Sequence, residues 1–288
     1  MPISPSRSRW WSTTSKRSSI ARNSRSRRSV SVCPPSRHGG IVKRAGAHQG
    51  NALRLGKLGV EKKSVTRITR RRPLTEKELR WEITYPQLEK AGSWEKVFGR
   101  DGDLFLEVGL GKDTHLIEQA RFAPDALFVG LEYSRKKMEK LLFKISASGG
   151  QDNLRIVHAD AFRTIDPAFP DGSLAGAFIL FPDPWPKARH ARRRLLQPKF
   201  LALLANKLRA GGRLEIRTDD PDYAIEASEA LESAGGLRRL TGDLPYFEEP
   251  IDSGAHLPTL FEKKFARLGK RIHYFYLEKS VTSDVGSI

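Results

Sequence analysis

Asp183 stands between two prolines in Phe181-Pro182-Asp183-Pro184-Trp185-Pro186-Lys187, and Arg189, His190, Arg192, Arg193 and Arg194 follow directly. Three prolines stiffen such a loop and fix where its carboxylate points. Five of the eight residues 187–194 are Lys or Arg, enough to hold several phosphates. A basic run is usually a solvated helix face. That reading does not explain why this one abuts a proline-locked carboxylate.

Upstream lies a second constellation. Glu107-Val108-Gly109-Leu110-Gly111 ends a short apolar run, Glu132 ends the next, and Asp160 follows a third. Glycines after a strand let the backbone turn tightly and approach a ligand closely. A dinucleotide fingerprint would need glycine at position 114, where this chain has Thr114. Glu107 and Asp113 bracket the loop, so it does not suit a pyrophosphate. Glu132 is 23 residues after Gly109, the place from which an acid accepts both hydroxyls of a ribose. Asp160 could meet an adenine amino group. Each acid taken singly reads as a polar loop residue. Three of them beside a Gly-x-Gly loop read as a site for an adenosine that carries a cationic centre. S-adenosylmethionine fits, with its sulfonium and its α-amino group.

The elements that must position these groups are legible as alternation. Apolar runs at Leu104–Val108, Leu127–Leu131, Leu154–Val157 and Leu174–Phe181 predict four strands, and Arg213–Arg217 a fifth. Helical patterns fall between them at His115–Phe122, Arg135–Ser146 and Pro198–Leu208, the last with proline in its first turn and Gly211-Gly212 closing it. A further helix is predicted over Tyr223–Ser233 and a last strand over Ile272–Leu277. Strands alternating with helices give an α/β fold with a doubly wound, mostly parallel sheet. Ligands of such sheets bind outside the carboxyl ends of the strands, which is where these acids stand. Before the first strand, residues 73–98 read as a lead-in, with Leu79, Trp81, Ile83 and Leu88 as its contacts onto the body.

Charge divides the 288-residue chain in two. Residues 1–72 hold 19 Lys and Arg against one acid, Glu61, whereas residues 73–288 hold 32 of each sign. Any nucleic-acid site on the body is therefore a local patch. Residues 1–40 contain twelve serines and nine Arg or Lys and almost no core formers. Such a segment is expected to be disordered. An organellar transit peptide, a phosphate-binding arm and a later start of translation all remain open for it. Cys33 is the only cysteine, which argues against a disulfide framework, a cysteine-rich metal site and a cysteine nucleophile. No apolar run approaches the roughly 18 residues of a membrane span. The expectation is a cytoplasmic protein without membrane or metal, with organellar import left open by the Arg/Ser-rich extension.

From about residue 73 to 279 the chain resembles the tRNA (guanine-N7-)-methyltransferases. Phe181–Lys187, Arg189-His190, Arg192–Arg194, Gln197-Pro198, Thr218-Asp219 and Thr259-Leu260-Phe261-Glu262 carry the resemblance. It implies a Rossmann-like S-adenosylmethionine-dependent fold and methyl transfer to guanine N7 in the variable loop of tRNA. It also implies that Glu107, Gly109, Gly111, Glu132, Asp160 and Asp183 contact the cofactor, with Asp183 catalytic. Lys187, Asp219, Thr259, Leu260, Phe261 and Glu262 would hold the guanine or its nucleotide. Arg189, His190, Arg192, Arg193 and Arg194 would meet the tRNA. The family's glycine loop usually has a small residue where this chain has Asp113. Guanine N7 carries no proton, so the reaction needs positioning and charge stabilisation rather than a general base. A methyltransferase for another substrate and a non-catalytic RNA-binding relative are the alternatives. A monomer, a homodimer and a complex with a partner subunit are all compatible with the sequence.

Overall fold

The computed structural model describes residues 72–251 and 256–280. The expectations for the Arg/Ser-rich extension and for Cys33 lie outside the described residues.

The lead-in forms three short helices, α1 (Glu76–Leu79), α2 (Tyr85–Ala91) and α3 (Trp94–Phe98). Thr75 opens α1 with a capping box to Glu78, satisfying N–H groups that the first turn leaves free. Trp81 is 1% exposed, and its indole N–H donates to the Gln151 carbonyl at 2.9 Å. Leu88 is buried and Ile83 packs against the core, but Leu79 is exposed. It sits on the outer face of a single-turn helix, so three of the four expected contacts form.

Among the described residues, seven strands make one sheet: β1 (Leu104–Val108), β2 (Leu127–Glu132), β3 (Leu154–His158), β4 (Leu174–Leu180), β5 (Leu208–Thr218), β6 (Leu237–Arg239) and β7 (His273–Lys279). Their order is β3-β2-β1-β4-β5-β7-β6. The first five strands run parallel, while β7 is antiparallel to both β5 and β6. Every residue of β1, β2 and β4 is buried, as expected of strands covered on both faces. The cover includes α4 (His115–Phe122), α5 (Arg135–Ala147), α6 (Ala161–Ala168), α7 (Pro198–Lys207) and α8 (Pro221–Ala234), with α9 (Leu260–Arg267) leading into β7. Leu106, Leu127, Leu142, Ile145, Phe169, Leu174, Ile179, Leu204 and Ile216 are fully inaccessible at the centre.

One expectation is corrected at β5. Gly211-Gly212 does not close α7, because β5 begins already at Leu208 and runs through both glycines. The register against β4 slips there, from Leu174 opposite Leu208 to Gly176 opposite Arg213. A Cβ on Gly212 would sit 2.9 Å from the carbonyl oxygens of both Leu174 and Arg209. Glycine is what lets the irregular strand approach its neighbour.

The topology decides what gathers at the functional end. Five parallel strands bring Glu107, Glu132, Asp160, Asp183 and Asp219 to one end of the sheet. Because β7 runs the other way, with His273 opposite Thr218, the α9 segment before it arrives at that same end.

Candidate active site

Gly109 and Gly111 both take positive φ, 79° and 63°, a conformation most side chains resist. The Gly109 and Leu110 amides donate to the Leu131 carbonyl, which seats the loop between β1 and β2. Leu110, between the glycines, is buried. Glu132 is 4% exposed, and its two oxygens accept from the Gly111 and Ser134 amides, each at 2.7 Å. Those bonds hold the carboxylate beside the glycine loop. Asp160 is half-buried and caps α6 by accepting from the Phe162 amide at 3.0 Å. Glu107 is more deeply placed, at 2% exposure, and accepts from His115 Nδ1 at 2.8 Å. A carboxylate can only accept here, so Nδ1 carries a proton, and the side-chain amide of Gln119 lies 3.1 Å from Nε2.

The proline-rich loop lies on the other side of the β1/β4 crevice. Phe181 and Trp185 hold φ of 53° and 44°, a left-handed backbone that bulky residues rarely adopt. Between them Asp183 is exposed, and its Oδ1 accepts from the Trp185 amide at 3.1 Å. The fixing group is Arg194. Its Nε donates to the Pro184 carbonyl at 2.8 Å and its Nη2 to the Trp185 carbonyl at 3.1 Å, while Nη1 pairs with Glu226. A guanidinium with these three partners, 17% exposed, is committed to the loop. Arg189, Arg192 and Arg193 are exposed on the 3-10 helix Ala188–Arg193, and Lys187 is exposed just before it. Arg193 lies over the Trp185 ring at 5.0 Å, and His190 meets the same ring edge-on at 5.4 Å.

Thr259 is the N-cap of α9, and its hydroxyl and the Glu262 carboxylate form a reciprocal capping box. Phe261 and Phe265 pack their rings on Phe181, at 5.8 and 5.6 Å, which ties this helix to the Asp183 loop. Glu262 is 6% exposed and accepts from His256 Nε2 at 2.6 Å, the Tyr274 hydroxyl at 2.7 Å and Arg217 Nη1 at 2.7 Å. Burial by itself would raise its pKa, but those three partners hold it down at about 2. Leu260 and Phe261 are the exposed members of the segment. Asp219 is half-buried and pairs with Lys270 at 2.8 Å.

The donor set fits S-adenosylmethionine. A Cβ built on Gly109 would point into open space with nothing within 4 Å, leaving room for a ligand against the backbone. Glu107, Glu132 and Asp160 stand at this end of the sheet, a complement to a sulfonium and an ammonium.

Comparison with known proteins agrees. Residues 101–275 match the family described as "Putative methyltransferase". The tRNA (guanine-N(7)-)-methyltransferase of Nitrosococcus oceani is 36% identical over 187 residues, which cover 65% of this chain and 76% of that protein. The chain belongs to the tRNA (guanine-N7-)-methyltransferase family. The enzyme of the same name from Shewanella amazonensis is also 36% identical, over 66% of this chain and 78% of its own. Among solved structures, the 16S rRNA methyltransferase KamB is similar at 22% identity and a TM-score of 0.48, covering 68% of this chain and 94% of that one.

Within this methyltransferase, three features escaped the sequence reading. In the sequence Arg194 is one of the run of arginines that the resemblance turns toward RNA, whereas in the structure it clamps the Asp183 loop. Asp113, a departure from the usual small residue, turns out to bond across the site. The Arg217–Glu262–Tyr274 network was invisible, because its members lie far apart in the chain. The one available signal was the alternation Arg213-Leu214-Glu215-Ile216-Arg217, which puts charges inside a strand buried by its neighbours.

Proposed function

We propose that this protein transfers the methyl group of S-adenosylmethionine to N7 of a guanine in the variable loop of tRNA. The observation that carries this reading is the juxtaposition at one sheet end. Exposed Asp183, in the proline-stiffened loop after β4, lies at the same sheet end as the glycine loop after the neighbouring β1, and exposed Lys187, Arg189, Arg192 and Arg193 follow it in the chain.

S-adenosylmethionine supplies an electrophilic methyl group on a sulfonium. Glu132 and Asp160 stand where the ribose and adenine would bond, and Gly109 and Gly111 let the backbone pass close by. Glu107, paired with His115, acts from beneath the loop. Asp183 accepts from the guanine edge and stabilises the positive charge that grows on the ring as N7 is alkylated. No residue has to remove a proton for the attack. Lys187 and Asp219 flank the base, and Asp219 shares its charge with Lys270 in doing so. Leu260 and Phe261 offer the apolar surface of the α9 segment, while Thr259 and Glu262 hold its backbone. Lys187, Arg189, Arg192 and Arg193 bind phosphates.

Mass spectrometry of nucleosides from tRNA incubated with the protein and S-adenosylmethionine should show N7-methylguanosine. A transcript whose variable-loop guanine is replaced by adenine should stay unmethylated. Undiminished methylation of that transcript would place the target elsewhere.

A further inference from the structure

Asp113 is 8% exposed, and both oxygens of its carboxylate accept hydrogen bonds. Oδ1 accepts from the Thr114 amide at 2.7 Å and the His115 amide at 3.1 Å. These close the first turn of α4, whose own N-cap, Thr114, makes no side-chain capping bond. Oδ2 accepts from the Leu260 amide at 2.7 Å. Leu260 is the first residue of α9, so one carboxylate serves the amino ends of two helices. Both ends carry partial positive charge, and hydrogen bonds to an ionised acceptor are the stronger kind.

The two helices belong to different halves of the site. α4 begins four positions after Gly111, and α9 begins at Leu260, right after its N-cap Thr259. Parallel β1 and antiparallel β7 deliver them to the same end of the sheet from opposite directions.

We propose that Asp113 is a positioning residue that latches the first turn of α9 to the glycine loop, so that filling either half of the site strengthens binding at the other. The inference rests on reading the glycine loop as the cofactor site and the start of α9 as the base site. With the latch closed, order imposed on the glycine loop also orders Leu260 and Phe261. With it open, the Leu260 amide turns to water, and the two halves bind independently. Linkage makes the effect reciprocal.

S-adenosylhomocysteine, which has no methyl to transfer, is the probe for binding measured without turnover. In the wild type it should tighten tRNA binding about 10-fold, and tRNA should tighten S-adenosylhomocysteine by the same factor. Asp113→Asn keeps one acceptor for the α4 amides but sets an NH2 group against the Leu260 amide. Its coupling factor should fall to within about 2-fold of unity, with each ligand alone changed by less than about 3-fold. Leu260→Pro removes the same N–H from the other partner, at a helix position that tolerates proline. The double variant should then couple no more weakly than either single one. An unchanged factor in Asp113→Asn, or no coupling in the wild type, overturns the proposal. So does a loss of both separate affinities together with the melting temperature while coupling survives, which would make Asp113 a purely structural cap. A wild type that binds neither S-adenosylhomocysteine nor tRNA instead overturns the functional reading, and the latch with it.

Discussion

Phe181 and Trp185 concentrate strain around a single carboxylate. Left-handed backbone at a bulky residue costs about 1–3 kcal/mol, and both residues flanking the Pro182-Asp183-Pro184 turn adopt it. The cost is offset by the Phe261 and Phe265 rings against Phe181 and by Arg194 on the Pro184 and Trp185 carbonyls. What that holds fixed is the direction of Asp183. Asp183→Asn keeps the shape and removes the charge, so single-turnover methylation should slow by about 10²-fold or more while tRNA still binds. A wild-type rate in a variant with a lowered melting temperature would make Asp183 a loop cap instead. Glu262 gives a second residue-scale expectation. Its folded pKa, about 2, lies below the ordinary 4.5, so its contribution to stability is complete above about pH 4.5 and is lost as the pH falls toward 2. Glu262→Gln should be less stable than the wild type near neutrality, by on the order of 3 kcal/mol. The gap should close in acid, and urea titrations at stepped pH would follow it. A gap that stays constant from neutrality to pH 2 would show that the carboxylate's charge is not what holds α9.

The 3-10 helix Ala188–Arg193 is the element that separates phosphate binding from loop support. Replacing Arg189, Arg192 and Arg193 together with alanine should flatten the salt dependence of tRNA binding by about two to three units of slope. S-adenosylhomocysteine affinity should be retained. An unaltered slope in fluorescence titrations would return these arginines to ordinary solvated surface. Elements differed in how plainly the sequence announced them, for physical reasons. β1 and α4 have the bounds expected, since a short, largely apolar run ending in glycine and a 3.6-residue period are local signals. β6 has only three residues, Leu237–Arg239, and owes its place to pairing with β7. α9 looked like a motif rather than a helix, although Thr259 and Glu262 are spaced as a capping box. The strand ends, and with them Glu132, Asp160 and Asp183, were readable because the parallel sheet puts all such ends together. The bonds made there were not, because Asp113 reaches Leu260 across 147 positions and Arg194 reaches Glu226 across 32. Hydrophobic pattern carries no record of which distant polar group a side chain will meet.

At the scale of the whole molecule, the described body is one mixed sheet whose two borders are managed differently. The β6 border is merely short. On the β3 border the lead-in lies alongside, with the Ile156 amide donating to the Trp81 carbonyl at 2.7 Å and the Ile83 amide to the Ile156 carbonyl at 2.9 Å. Trp81 anchors that arrangement. A Cβ on Gly150 would lie 2.2 Å from the Trp81 ring, so the indole rests directly on that backbone. Trp81→Ala should cost about 3–5 kcal/mol of stability, as large-to-small changes of buried aromatics do. Urea unfolding checks this, and a cost below about 1 kcal/mol would show that the lead-in is held elsewhere.

Pairing along β3 has a consequence for how the protein behaves in a crowded solution. An uncovered strand offers its free amides and carbonyls to any other chain that can lie beside it. Trp81 and Ile83 occupy part of that template with the protein's own backbone. A molecule that lets its lead-in swing away would retain all five acids at the far end of its strands. It would nonetheless present an adhesive rim, joining its copies edge to edge and clouding on storage while its chemistry remained intact.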